Sequence, residues 1–156
     1  MSSVPVTPPR KPMVRQSFLR RHSLSLLSIT ILVVWIVLYR VSDQHTHSGS
    51  FFGNAIADWS GVVVTVLATK FLYERGSAES RRPPRERSPF LQLIVDHSLT
   101  IFLVLTGTGW LALYLAMDSE SKWGQVVGNV VSEWTQILAL VLMTKKLIEA
   151  HSKESS

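Results

Sequence analysis

Two carboxylates, Asp58 and Glu133, stand in what is nearly one phrase written twice, "GNAIADWSGVVV" at 53–64 and "GNVVSEWTQILA" at 128–139. A carboxylate inside an apolar run suits proton or cation handling, because ionising it in lipid is costly without a partner. Two such groups brought close together share a proton. Asn54 precedes Asp58 by four residues, Asn129 precedes Glu133 by four, and Gln136 follows Glu133 by three. Residues at those spacings share a helix face, so Asn54, Asp58, Asn129, Glu133 and Gln136 form a candidate intramembrane polar site, which Thr65 and Thr69 extend. A second reading places both acids at the head-group level. Trp59 and Trp134 then mark the outer aromatic belt, Lys70 and Lys145 anchor the opposite interface, and Asn beside Gly is ordinary helix-start chemistry. From Asp58 to Lys70 is 12 residues, roughly 18 Å of helix, which favours the deeper placement.

"DQHTHS" offers Asp43, His45 and His47 as weak metal candidates from one loop, and the spacing equally fits a solvated turn. His22 and His97 read as head-group contacts or helix caps. Cysteine is absent, which excludes disulfide and thiol chemistry. No nucleophile–base set or Gly-rich phosphate loop appears, and the loops are too short for a catalytic domain. A non-enzymatic protein without a cofactor is expected.

The elements that carry these residues are four apolar blocks. Leu24–Tyr39 and Leu99–Met117 contain no charge, Val62–Tyr73 only Lys70, and Val126–Thr144 only Glu133 before its end. A span needs roughly 20 apolar residues, and four are expected at about 22–40, 52–73, 97–117 and 126–148. The first is long for a signal peptide and lacks a small-x-small cleavage site, so it reads as an anchor. Basic residues collect on the cytoplasmic side of a membrane. Of 16 in the chain, all but Arg40 and Lys122 fall in the N-terminal tail, the central loop with its flank, or the C-terminal end. Both termini are therefore expected in the cytoplasm of a cell whose inner or plasma membrane holds the protein. Topology accounts for the net charge of +5, and without interleaved aromatics nucleic acid is not an expected partner.

An offset of 75 aligns the chain with itself without a gap, and 23 of the 75 pairs are identical. They include His22 with His97, Trp35 with Trp110, Tyr39 with Tyr114, Gly53-Asn54 with Gly128-Asn129, and Thr69-Lys70 with Thr144-Lys145. Such agreement implies duplication. The expected layout is a basic tail (1–21), a first helical hairpin (22–81), a basic linker (82–96) that proline keeps out of helix, and a second hairpin (97–156). An even number of crossings returns each unit to its starting side. The expected fold is therefore an all-α membrane protein of four transmembrane helices, arranged as two parallel, pseudo-symmetric hairpins.

Several phrases carry a resemblance: Arg21, Leu24, Ser25 and Leu26 in "LRRHSLSL"; Ser132, Glu133 and Gln136 in "SEWTQ"; and Gly76, Ser77, Glu79 and Ser80 in "ERGSAES". In these the chain resembles a family of small bacterial integral membrane proteins known only as a domain of unknown function. The resemblance implies a multi-pass membrane fold and no known activity. Gly61 stands where the second unit has Gln136, so a role for that amide is not shared.

Gly53, Ala57 and Gly61 recur every four residues, and Gly128 and Ser132 repeat part of that pattern. Such a face lets helices approach closely. Gly107 and Gly109 invite close packing of the third span. The lipid bilayer is the expected environment. The leading expectation is a protein that acts through helix packing, as a homo-oligomer or as an accessory of another membrane protein. A cation or proton channel using Asp58 and Glu133 is the alternative, and an intramembrane enzyme is a more distant third.

Overall fold

The computed structural model describes residues 18–147. Arg10, Lys11, Arg15 and Lys153, with the rest of both termini, lie outside the described residues, as does the side chain of Arg21. Five helices follow in chain order: α1 (Phe18–Val41), α2 (His47–Phe71), α3 (Pro89–Asp96), α4 (Ser98–Ala116) and α5 (Lys122–Met143), with no strand among the described residues. The protein is all-α. Four of the helices, α1, α2, α4 and α5, are long and apolar enough to cross a membrane.

The composition of α1 and α4 makes physical sense only against lipid. Both are apolar on every side, and Val33, Val37, Leu105 and Leu115 are exposed. A continuous apolar surface of that kind is unstable in water and is what a bilayer requires. The helices pack in the spatial order α1, α2, α5, α4. Thus α2 and α5 are central, and each carries one outer helix, its own hairpin partner. Aromatic residues fix those hairpins. Gly53 lies so close to the Tyr39 ring that a Cβ there would stand 3.1 Å from it, and one on Gly128 would stand 3.0 Å from the Tyr114 ring. The core continues through Ala57, Val130 and Val141 to Leu99 and Leu103.

Both central helices begin several residues earlier than their apolar runs suggest. Thr46 caps α2 and Ser121 caps α5, each side chain accepting the amide hydrogen of a glycine three residues on, Gly49 or Gly124. The two turns share their other bonds as well. Asp43 and Asp118 each accept from the amide two residues later at 3.0 Å, and their carbonyls accept from the Thr46 and Ser121 hydroxyls at 2.6 Å. The common pattern is Asp-x-x-Ser/Thr-x-x-Gly. It supplies otherwise orphaned helix-start donors with acceptors and so lets polar residues open a span.

The linker departs from expectation in its second half. Residues 82–88 are irregular, as their prolines require, but Pro89–Asp96 forms α3. Pro89 is compatible with helix here because it occupies the first turn, where no intrahelical N–H bond is lost.

Candidate functional site

The earlier starts of α2 and α5 put more helix ahead of both carboxylates. Asp58 and Glu133 fall close to the middle of helices running His47–Phe71 and Lys122–Met143. It also means that Asn54 is not a cap: it lies in the second turn of α2, well past Thr46.

These residues line the contact between α2 and α5. Asn129 Nδ2 donates to Asn54 Oδ1 at 2.5 Å, joining two residues 75 apart in sequence. One turn further along, Asp58 on α2 and Glu133 on α5 hold corresponding positions, four residues past the bonded asparagines. Gly61 gives Glu133 room: a Cβ at Gly61 would stand 3.1 Å from Glu133 Oε2 and 3.2 Å from Ile137 Cδ1. This explains why the first unit has glycine where the second has Gln136. The seam is open along one side. Asn54, Asp58, Ser132 and Gln136 are exposed, and Asn129 and Glu133 are half-buried.

The small-residue pattern is used inside the chain. Gly53 meets α1, Gly61 meets α5, Gly128 meets α4, and Ala57 is fully enclosed. Ser132 is exposed on the seam and is not enclosed by the chain's own helices. Gly107 is a close-packing position too, since a Cβ on it would meet the Trp134 ring at 3.3 Å, whereas Gly109 faces open space.

Two expected interface anchors have other roles. Trp134 is buried, donates its indole N–H to Thr106 Oγ1 at 2.8 Å and meets Trp110 edge-on at 5.8 Å. Trp59 is half-buried, and the position matching Thr106 is Ile31, which offers no acceptor. Lys145 forms a short ion pair with Glu74, whose side chain is fully enclosed. Lys70 lies 2.8 Å from His22 Nδ1 and 5.3 Å from the Phe71 ring centre.

Glu74 was not among the sequence candidates, yet it centres the best-connected polar cluster described. One oxygen accepts from Lys145 and, at 2.7 Å, from His97 Nδ1; the other accepts from the Thr100 amide at 3.3 Å. Burial works to raise its pKa, but the hydrogen bonds from Lys145, Thr100 and His97, together with the Lys145 charge, outweigh this and hold it below the ordinary 4.5. His97 sits at the α4 cap position without a side-chain cap bond, so its role is this pairing and not capping. The signal was present: His97 and Lys145 are both identities of the repeat, and Glu74 follows Lys70 by four. The residue matching Glu74, Glu149, lies outside the described residues.

The "ERGSAES" phrase builds the loop around that cluster. Gly76 adopts φ +85°, a left-handed conformation suited to glycine. Ser80 Oγ accepts the Glu74 amide hydrogen at 2.8 Å, and Ser77 Oγ meets Thr144 Oγ1 at 2.9 Å. Arg75 reaches Asp96 at 3.2 Å, and the Tyr73 carbonyl accepts from the Leu99 amide at 2.9 Å. Asp43, His45 and His47 are not brought together, and no group of three or more His, Cys, Asp or Glu suited to a metal forms among the described residues. Asp43 serves the hairpin turn instead.

No protein-family model matches the chain, and no curated protein or solved structure is similar to it.

Proposed function

We propose that this multi-pass membrane protein is non-enzymatic and acts by self-association, with the polar seam of α2 and α5 as the contact between copies. The observation that carries this reading is the exposure of Asp58 and Gln136 near the middle of membrane-length helices. Lipid cannot satisfy a carboxylate or an amide at that depth, so a polar partner must cover them. A second parallel copy, turned about the membrane normal, brings the same amides and carboxylates to the same depth. The internal repeat supports this, since Asn54 and Asn129 already form such a like-with-like bond within one chain. The cysteine-free background makes the test simple. Ser132→Cys in native-like vesicles is expected to give a disulfide dimer on mild oxidation, whereas Val37→Cys on α1 should not. Absence of the Ser132 cross-link, or equal cross-linking at both positions, overturns the reading.

A second reading is cation or proton passage along the same seam, favoured by the corresponding positions of Asp58 and Glu133 one turn beyond the Asn54–Asn129 bond. It expects liposome proton flux that falls when Asp58→Asn and Glu133→Gln are combined; unchanged flux in the double variant removes it.

A further inference from the structure

At the end of the molecule carrying the linker, a cavity of about 870 Å³ opens between the loop after α2, the linker and the end of α5. Its lining includes Arg75, Arg81, Arg82, Arg85, Glu74 and Lys145. The positive-inside rule explains why arginines occur here. It does not explain why they gather around one concavity whose acids are already matched. Glu74 is neutralised by Lys145 and Asp96 is paired with Arg75. Five basic side chains line the cavity against two acids, Glu74 and Asp96, and Arg81, Arg82 and Arg85 form no ion pair among the described residues.

The segment bearing these arginines is held in place. Pro83 and Pro84 restrict the backbone between them. Gln92 of α3 donates to the Pro84 carbonyl at 3.2 Å and accepts the Glu86 amide hydrogen at 2.6 Å. Gln92 also donates to Asp96 at 2.6 Å, tying the strap to the Arg75 pair. A stiff segment presents guanidiniums with less ordering cost on binding than a loose one. Guanidinium is planar and matches the oxygens of a phosphoryl group two at a time. The volume falls in the range of about 300–1,000 Å³ usual for ligand sites. The cavity also lies just beyond the ends of α2 and α5, where head groups would meet the protein.

We infer that this cavity binds a phosphoryl-bearing anion, with Arg81, Arg82 and Arg85 as its ligands. An anionic phospholipid head group and a soluble phosphate ester present the same chemistry, and the experiment separates them. Full-length protein in neutral detergent is titrated with pyrophosphate by calorimetry, and its retention of phosphatidylglycerol over phosphatidylcholine is read by native mass spectrometry. Wild type should bind at least one probe with an affinity that falls as salt rises. The combined Arg81→Gln, Arg82→Gln, Arg85→Gln variant should bind roughly tenfold more weakly, while Arg40→Gln at the opposite end leaves binding unchanged. Pyrophosphate binding that displaces the lipid assigns a soluble ester; lipid retention that pyrophosphate leaves untouched assigns a head group. If the triple variant unfolds, Arg85→Gln alone, an exposed change, should still weaken binding severalfold. Full-strength binding in these variants, equal loss in Arg40→Gln, or no binding of either probe by wild type overturns the inference.

Discussion

Glu74 shows most clearly how one residue can hold a membrane protein together. Its carboxylate is enclosed, and its partners are Lys145, just past the end of α5, and His97 at the start of α4. Replacing it with Gln leaves Lys145, itself only 24% exposed, without its countercharge. The expected cost is about 3 kcal/mol, the lower end for breaking a buried pair, read as a fall in thermal midpoint in detergent. The pH dependence follows from the direction of the shift. A glutamate held below 4.5 contributes stability that is present above 4.5 and disappears as pH falls through its lower folded value. Wild type should therefore lose stability on acidification below pH 4.5, and Glu74→Gln should show less of that loss; identical acid profiles would remove Glu74 from the account. This cluster was hidden in the sequence. Lys145 reads there as a snorkelling anchor, because a lone basic residue at the end of an apolar run looks the same whether lipid phosphate or a distant glutamate meets it. Trp134 misleads for a similar reason, since aromatic residues fill cores and interfaces alike.

At the level of elements, the hairpin turns decide where the central helices begin. Gly124 approaches the preceding chain so closely that a Cβ would stand 2.1 Å from the Asp118 carbonyl oxygen, whereas Gly109 has nothing within 4 Å. Gly124→Ala must therefore open the first turn of α5. Gly109→Ala should be neutral or up to about 1 kcal/mol stabilising through helix propensity. Folded yield by size-exclusion chromatography in detergent distinguishes them; equal yields would show that the turn is not what sets the helix start. The four spans were legible because apolar run length is dictated by bilayer thickness. Their outer boundaries were not, because Thr46, Gly49, Ser121 and Gly124 act through local bonds that hydropathy does not register. The short α3 was missed because a proline that forbids helix before it is welcome in the first turn after it.

Across the whole molecule, the seam between α2 and α5 and the basic cavity occupy different regions of the same helix pair, one near mid-span and one beyond their ends. The topology read from charge places the segment around Arg85 on the same side as the C-terminus. Arg85→Cys and a cysteine appended after Ser156 should therefore react alike with an impermeant maleimide, both blocked in sealed cells and both labelled after lysis. Opposite behaviour would overturn the expectation that the two hairpins are parallel. The polar residues of the seam were legible in advance, since Asn54, Asp58, Asn129 and Glu133 repeat at one offset. Their openness was not, because a periodic stripe states which residues share a face and leaves unsaid what lies opposite it.

The grip on Glu74 has an implication for any shortened version of this gene. A polypeptide ending at residue 81 would keep the acid but lack both of the side chains that bond its carboxylate here, Lys145 and His97. Such a half-length product could settle only by borrowing those partners from a separately made companion. Co-expressed fragments should thus rescue one another where neither accumulates alone.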